Sequence, residues 1–249
     1  MKPHLSIIIP SYNELDNFQK GSLKKVSDYL NTQKFSWEVI IVDDGSADGS
    51  TKLITNFCNQ HPGFTLVKNP HMGKAATVAT GVKKASGKYL LFTDFDQATP
   101  LQEWQKLEPH LLKGSQIVIG SREIKGSKRE KEPFYRHLMG RGFNWGVQLI
   151  ALRGIADTQC GFKAFKAQAA KTLFSKLIIY KPKPLKSAYL GAFDVELLYI
   201  AKKLNYKIVE VPIHWHHIET QRLSPVRDSI RMAWDVVKIR WHDLLGEYH

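Results

Sequence analysis

The sequence predicts an α/β fold: a mostly parallel β-sheet with helices on both faces. Three observations predict it. Short apolar runs recur at residues 5–9 (LSIII), 39–42 and 89–93. Each run ends in a polar or acidic loop, and segments of helical periodicity lie between them. Buried strands alternating with amphipathic helices make a parallel sheet with helices packed on both sides. Ligands of such sheets bind outside the carboxyl ends of the strands, so those loops are where a site is expected.

The elements follow in order. Residues 5–9 read as a buried strand running into Pro10-Ser11-Tyr12-Asn13-Glu14, and residues 15–32 carry apolar residues at helical spacing. The run 39–42 ends in Asp43-Asp44-Gly45-Ser46, followed by a helix over 50–59 and a short strand at 65–67. Residues 74–85 are alanine-rich and stop before Gly87, a helix-end signal. The run 89–93 ends in Asp94-Phe95-Asp96, and 116–119 supplies another strand. Beyond it the pattern is less regular. Residues 120–133 read as a mobile loop, 134–152 as a helix and 157–165 as a loop entering a short strand. The segment 180–187 (YKPKPLKS) is neither helix nor central strand, because of its prolines. A helix over 193–204, a strand over 207–212 and a terminal helix over 226–245 complete the reading.

At 249 residues, with 43% hydrophobic and 24% charged residues, the chain is long enough for one domain with its own core. A net charge of +13 favours polyanionic partners: nucleic acid, anionic lipid or phosphorylated substrates. The lysines are denser at 125–131 and 181–186. Cys58 and Cys160 belong to no metal-type pair and read as reduced, buried thiols. The N-terminal apolar run is too short for a signal peptide, and no stretch reaches the roughly 20 apolar residues that span a bilayer. The expectation is a cytoplasmic protein, peripheral to a membrane if it touches one.

Asp94 and Asp96, one residue apart at the end of a buried strand, can share a hard divalent cation. Mg²⁺ and Mn²⁺ prefer such oxygen ligands and bridge to phosphates. The same pair would also suit a solvated turn. Asp43 and Asp44 can accept hydrogen bonds from a base or ribose, although Asp43 or Ser46 could equally cap the next helix. Tyr12 and Glu14 suit a nucleobase pocket, although Asn13 and Glu14 equally suit a helix start.

Pro10–Glu14, Asp43–Ser46 and Asp94–Asp96 stand in the order and spacing of family 2 glycosyltransferases. With Asp157-Thr158-Gln159-Cys160-Gly161-Phe162-Lys163, Phe193–Leu198 and Val209–Ile213, the chain resembles dolichyl-phosphate glucosyltransferases and related polyprenyl-phosphate glycosyltransferases, among them the dolichyl-phosphate mannose synthases. The resemblance covers about residues 5–240. It implies the Rossmann-like GT-A fold over one domain, 1–249, with a nucleotide-binding half (about 1–120) and an acceptor-binding half (121–249).

By resemblance, Pro10, Tyr12 and Glu14 line the nucleoside pocket. Asp44 holds base or ribose with Asp43 in support, and Lys74 lies near the nucleotide. Asp94 contacts ribose or metal, Asp96 the metal and diphosphate, and Gln97 adds a metal ligand; some relatives carry that glutamine where this chain has Thr99. Arg122 faces the acceptor phosphate, and Arg136 and Arg141 do the same from the next helix. Arg222 stands in for a lysine that relatives carry in a G-S-K segment this chain lacks. Asp157 positions the sugar or acts as base, and Glu196, on an apolar helix, pairs with a basic residue or binds sugar. His214, His216 and His217 form an H-x-H-H run that reads as a polar strand end or, less simply, as a metal site.

The implied reaction is inverting transfer of a hexose to a polyprenyl phosphate at the membrane surface, with Mg²⁺ or Mn²⁺ as cofactor. Uridine diphosphate glucose is the leading donor and guanosine diphosphate mannose the second. A transferase acting on a polysaccharide or glycolipid would need the same donor site. A nucleic-acid-binding module would need a basic stripe with stacking aromatics, which the sequence lacks, so no nucleic acid partner is expected. On the terminal helix, Arg227, Arg231, Lys238 and Arg240 lie among Met232, Trp234, Ile239 and Trp241. Those apolar residues can pack on the core or meet a bilayer.

Overall fold

In a computed structural model, residues 2–130, 142, 146–148, 150–181, 191–218 and 225–248 are described, residues 225–229 by backbone alone. Among them a seven-stranded sheet has the order β3-β2-β1-β4-β7-β5-β8. Its strands are β1 (Leu5–Ser11), β2 (Trp37–Asp43), β3 (Phe64–Lys68), β4 (Tyr89–Thr93), β5 (Ile117–Ser121), β7 (Phe162–Lys166) and β8 (Ile208–Pro212). Strand β7 pairs antiparallel with both β4 and β5, while the other pairings are parallel. A parallel ribbon of β6 (Lys128–Glu130) and β9 (His214–His216) stands apart.

The helices are α1 (Leu15–Gln19), α2 (Ser22–Asn31), α3 (Ser50–Gln60), α4 (Lys74–Lys84), α5 (Trp104–Leu112), α6 (Ala167–Ser175), α7 (Phe193–Lys203) and α8 (Pro225–Leu244). Alternation of side chains along each strand makes two cores. Ile8, Ile40, Leu90, Phe92 and Ile117 face α4, α6, α7 and α8, with Val78, Leu173, Leu198 and Ile239 buried against them. Ile7, Ile41, Leu91 and Val118 face the other way, onto Val26, Leu30, Ile54, Trp104 and Leu107 of α2, α3 and α5. Helices on both faces were expected, and both are present.

Three expectations change. The helix over 15–32 is two helices, because Gly21 takes φ = 78° between them, a conformation that glycine adopts without steric cost. The loop over 120–133 contains β6 at 128–130, while 131–133 lie outside the described residues. The descending pattern after 93 also hides α5, which tolerates Pro109, and α6. Of the helix expected over 134–152, residues 142, 146–148 and 150 are helical; the others up to 149 lie outside the described residues. So do 182–187 of the proline–lysine segment.

The chain passes from β1 outward to β2 and β3, then returns to place β4 on the other side of β1. This reversal is a topological switch point, and it opens a crevice beyond the carboxyl ends of β1 and β4. Tyr12 follows the first strand and Asp94 follows the second.

Candidate active site

The crevice is built from turns that fix each carboxylate differently. Asp43 ends β2 and is consumed locally: Ser46 Oγ and Thr51 Oγ1 donate to it at 2.5 and 3.0 Å. It ties the β2 turn to the start of α3 through the Thr51 hydroxyl, but it does not cap that helix, whose N-cap is Gly49 without a side-chain bond. Asp44, also buried, accepts from the backbone N–H groups of Met72 and Gly73, both at 2.9 Å, and lies 2.8 Å from His71 Nδ1. It thereby folds the 71–73 turn against the end of β2. That turn lays the His71 ring on Tyr12, with centroids 4.4 Å apart and planes 18° apart. The result is an aromatic platform beside the switch point. Pro10 pairs with Val42 inside the sheet, and Glu14 accepts from Asn17 Nδ2 at 2.6 Å at the start of α1.

Asp94 and Asp96 follow β4. Gln97 takes φ = 55°, and its side-chain amide donates to the Asp94 carbonyl at 2.7 Å, which locks the turn. Ala98 N–H donates to Asp96 at 3.0 Å. Lys74 Nζ, at the start of α4, reaches Asp94 Oδ1 at 2.6 Å and lies 5.2 Å from the centre of the Phe92 ring. Burial opposes the Lys74 charge, but Asp94, Asp194 and Asp96 outweigh it and raise the ammonium's affinity for its proton. Burial, and then the Asp94 charge, push Asp96 up to about 6. Asp96, disfavoured as an anion by burial and by its neighbour Asp94, forms with that neighbour an oxygen donor set whose strain a divalent cation would relieve. Mg²⁺ in particular is held by one or two carboxylates, with phosphate and water completing its shell. The residues therefore fit the expected metal.

Gly161 explains how Asp94 is accommodated. A Cβ at Gly161 would lie 1.9 Å from Asp94 Oδ2, so the loop before β7 closes on that carboxylate with no room for a methyl group. Gly161→Ala should displace Asp94 and its Lys74 contact. Since a misplacement of about 1 Å can cost ~100-fold in rate, we expect kcat/KM to fall about that much, with near-UV circular dichroism unchanged. Full activity in the variant would show that Asp94 need not hold this position.

Asp157 and Arg122 form one unit. Arg122 donates to both oxygens of the buried Asp157, from Nε at 2.7 Å and a terminal nitrogen at 2.9 Å, and its backbone N–H adds a third bond at 2.9 Å. The Arg122 guanidinium lies 5.4 Å from the Trp215 ring centre. Behind it, Glu210 accepts from the N–H groups of Ala156 and Asp157 at 2.7 and 2.9 Å. Burial works against the Asp157 charge, but Arg122 more than offsets it and holds the carboxyl at about 2. A carboxylate held that low is a weak base, which favours positioning over proton abstraction. Its folded pKa lies below the ordinary 3.8, so its stabilisation is present above about pH 4 and is lost as pH falls towards 2. The contribution is on the order of 2 kcal/mol. Urea unfolding at pH 5 and pH 3 should show the stability gap between wild type and Asp157→Asn narrowing at the lower pH.

Behind the site, Lys163 on β7 is fully buried and donates to Asp194 Oδ1 of α7 at 2.6 Å and to the Cys160 carbonyl at 2.5 Å. Asp94, Lys74, Asp194, Lys163, Asp157 and Arg122 thus make a series of alternating charges from donor loop to Arg122. Neither Lys163 nor Asp194 was singled out from sequence. The signal was there, as a lysine inside the apolar strand FKAFK and an aspartate opening the apolar helix FDVELL. Among the described residues, Glu196 departs from the expected pairing with a basic side chain: it accepts from the N–H groups of Ile178, Ile179 and Tyr180 and from Tyr248 OH. Backbone donors satisfy a buried carboxylate as well as a cation does. Arg136, Arg141 and Arg222 lie outside the described residues.

Known proteins resemble this chain in sequence and in fold. The pattern describing glycosyl transferase family 2 matches residues 6–174. A dolichyl-phosphate β-glucosyltransferase of Dictyostelium discoideum is 37% identical over 98% of this chain and 76% of its own length. The human protein of the same name is 34% identical over 98% of this chain and 77% of its own. In structure, glucosyl-3-phosphoglycerate synthase from Mycobacterium tuberculosis, in complex with Mn²⁺, uridine diphosphate and glucosyl-3-phosphoglycerate, superimposes with a TM-score of 0.61 at 18% identity. That match covers 98% of this chain and 80% of the synthase.

Proposed function

The chain belongs to glycosyl transferase family 2 and has its GT-A fold, and from that premise we infer that it transfers glucose from uridine diphosphate glucose to dolichyl or a related polyprenyl phosphate. The observation that carries this reading is the Asp94–Asp96 pair at the carboxyl end of β4, beside the switch point and closed on by Gly161. The names of the nearly full-length relatives support the sugar and the acceptor.

Asp94 and Asp96 would hold Mg²⁺ or Mn²⁺, which when bound supplies a Lewis acid for the leaving diphosphate. Lys74 holds Asp94 in place and brings a positive charge to the same end of the crevice. The Tyr12–His71 platform offers a flat face for the nucleobase. An oxygen of the acceptor phosphate attacks the anomeric carbon from the side opposite the diphosphate. The bond from that carbon to the diphosphate breaks, and its electron pair leaves with the nucleotide. A lipid phosphate is already ionised near neutral pH, so the step needs positioning and charge stabilisation more than a strong base. Arg122, held rigidly by Asp157, presents guanidinium edge to the acceptor side. A screen of purified protein with each nucleotide sugar, with and without polyprenyl phosphate, tests the reading. Acceptor-dependent nucleotide release with uridine diphosphate glucose is expected; release with guanosine diphosphate mannose alone would overturn the donor.

The terminal helix gives this acceptor a route. Among the described residues no helix is long and apolar enough to cross a membrane. Helix α8 buries Val236 and Ile239 in the core but exposes Ile230, Trp234, Val237, Trp241 and Leu244, spaced three and four apart. Of the four apolar residues read as packing on the core or meeting a bilayer, Met232 and Ile239 pack on the core, whereas Trp234 and Trp241 are 62% and 63% exposed. Lys238 and Arg240 flank the stripe. Such a face suits the interface of an anionic bilayer. Trp234→Ser/Trp241→Ser should lower partitioning onto phosphatidylglycerol-containing vesicles by ~10-fold or more, without lowering thermal stability. Unchanged sedimentation with vesicles would remove α8 from membrane contact.

A further inference from the structure

The β6–β9 ribbon carries a side-chain cluster that the glycosyl transfer does not use. Glu130 on β6 stands opposite His216 on β9, with Lys128 opposite His214. Side chains alternate along a strand, so His214 and His216 share one face and Trp215 takes the other. Trp215 packs under Arg122, which puts the histidines on the face opposite the acceptor side. Glu130 Oε1 lies 2.6 Å from His214 Nε2, and Oε2 lies 2.9 Å from His216 Nδ1. The two imidazole centres are 4.3 Å apart, and one ligand atom from each residue falls within 4.8 Å of the others. Among the described residues this is the group of three potential ligands so arranged. All three are partly exposed, so a hydrated ion can reach them.

We propose that Glu130, His214 and His216 form a second metal site, for a borderline transition metal of the Zn²⁺ class, separate from the Asp94–Asp96 pair. The donor chemistry makes the distinction. Two imidazoles and one carboxylate suit Zn²⁺, whereas the all-oxygen Asp pair suits Mg²⁺ or Mn²⁺. Three protein ligands leave the fourth tetrahedral position to water. Binding exchanges the two His–Glu contacts for metal bonds of about 2.0–2.2 Å, a contraction that short side-chain rotations supply.

The position gives such an ion a consequence. Strand β6 follows the loop that begins at Arg122, and His216 N–H donates at 2.8 Å to the carbonyl of Ala98, two residues after Asp96. Joining β6 to β9 would therefore brace the acceptor-side arginine and the donor loop against each other.

The test uses chelator-stripped, full-length protein titrated with Co²⁺, read by visible absorption, and with Zn²⁺, read by calorimetry. Wild type and Asp94→Asn/Asp96→Asn should each bind one equivalent with the absorption of nitrogen-ligated Co²⁺. His214→Ala/His216→Ala should lose both signals, and Glu130→Gln, an exposed substitution that leaves the fold intact, should weaken binding. Absence of saturable binding in wild type would overturn the proposal, as would retention in the histidine variant. Loss of the signal in the aspartate variant would assign the ion to the donor site, and so would also overturn it.

Discussion

Asp96→Asn is expected to lower kcat by ~100- to 1000-fold, the range for removing one group that stabilises developing charge. The fold should not suffer. Ionised Asp96 is disfavoured where it stands, by burial and by the Asp94 charge, with Glu14 adding to the repulsion. The amide removes that repulsion and keeps the shape, and its nearby oxygen can still accept from Ala98 N–H. Activity and stability should therefore separate, with transfer nearly abolished while the thermal midpoint holds or rises. Steady-state kinetics and a melting curve on the same sample check both. A parallel loss of midpoint and rate would make Asp96 a structural residue, not a donor-site ligand.

Lys163→Met should have the opposite signature. Lys163 is fully buried in the central strand β7, between β4 and β5, and is the cation beside Asp194. Methionine fills a similar volume but leaves the Asp194 carboxylate buried and unpaired. Breaking one half of a buried ion pair costs about 3–5 kcal/mol, a large share of a domain's total stability. The second substitution discriminates: Lys163→Met/Asp194→Leu removes both charges and should recover much of the loss, since an apolar replacement of a buried pair is often neutral. Urea denaturation of the single and double variants measures this directly. If the single variant is as stable as wild type, the charge series behind the site has no structural role.

Much of this arrangement was legible in the sequence, for a physical reason. Strands buried on both faces must be continuously apolar, so 5–9, 39–42 and 89–93 stood out, and the polar residues ending them had to be at one edge of the sheet. Asp94, Asp44 and Asp157 were found that way or by resemblance. What each carboxylate does there was less legible, because partners come from distant segments. Asp44 takes its donors from 71–73 and Asp157 from Arg122. Strand direction leaves no trace in composition, so the reversal of β7 was invisible. Lys163 was hidden because a buried lysine in a strand reads as a solvated one until its aspartate is located. The short β6 and β9 are polar, with no apolar alternation to mark them, and the histidine run consequently read as a strand end. The glycine at 161 had a role that only the closeness of Asp94 reveals.

The central claim is that Asp94 and Asp96 hold the donor end of a glucosyl transfer to a lipid phosphate. The most direct measurement follows radiolabelled glucose from uridine diphosphate glucose into the organic phase, with dolichyl phosphate and Mg²⁺ or Mn²⁺ present, for wild type and Asp96→Asn. The account predicts labelled lipid from wild type that disappears on omission of acceptor or addition of chelator, and almost none from the variant. Equal labelling by the two proteins, or no labelled lipid from wild type under any metal, would contradict it.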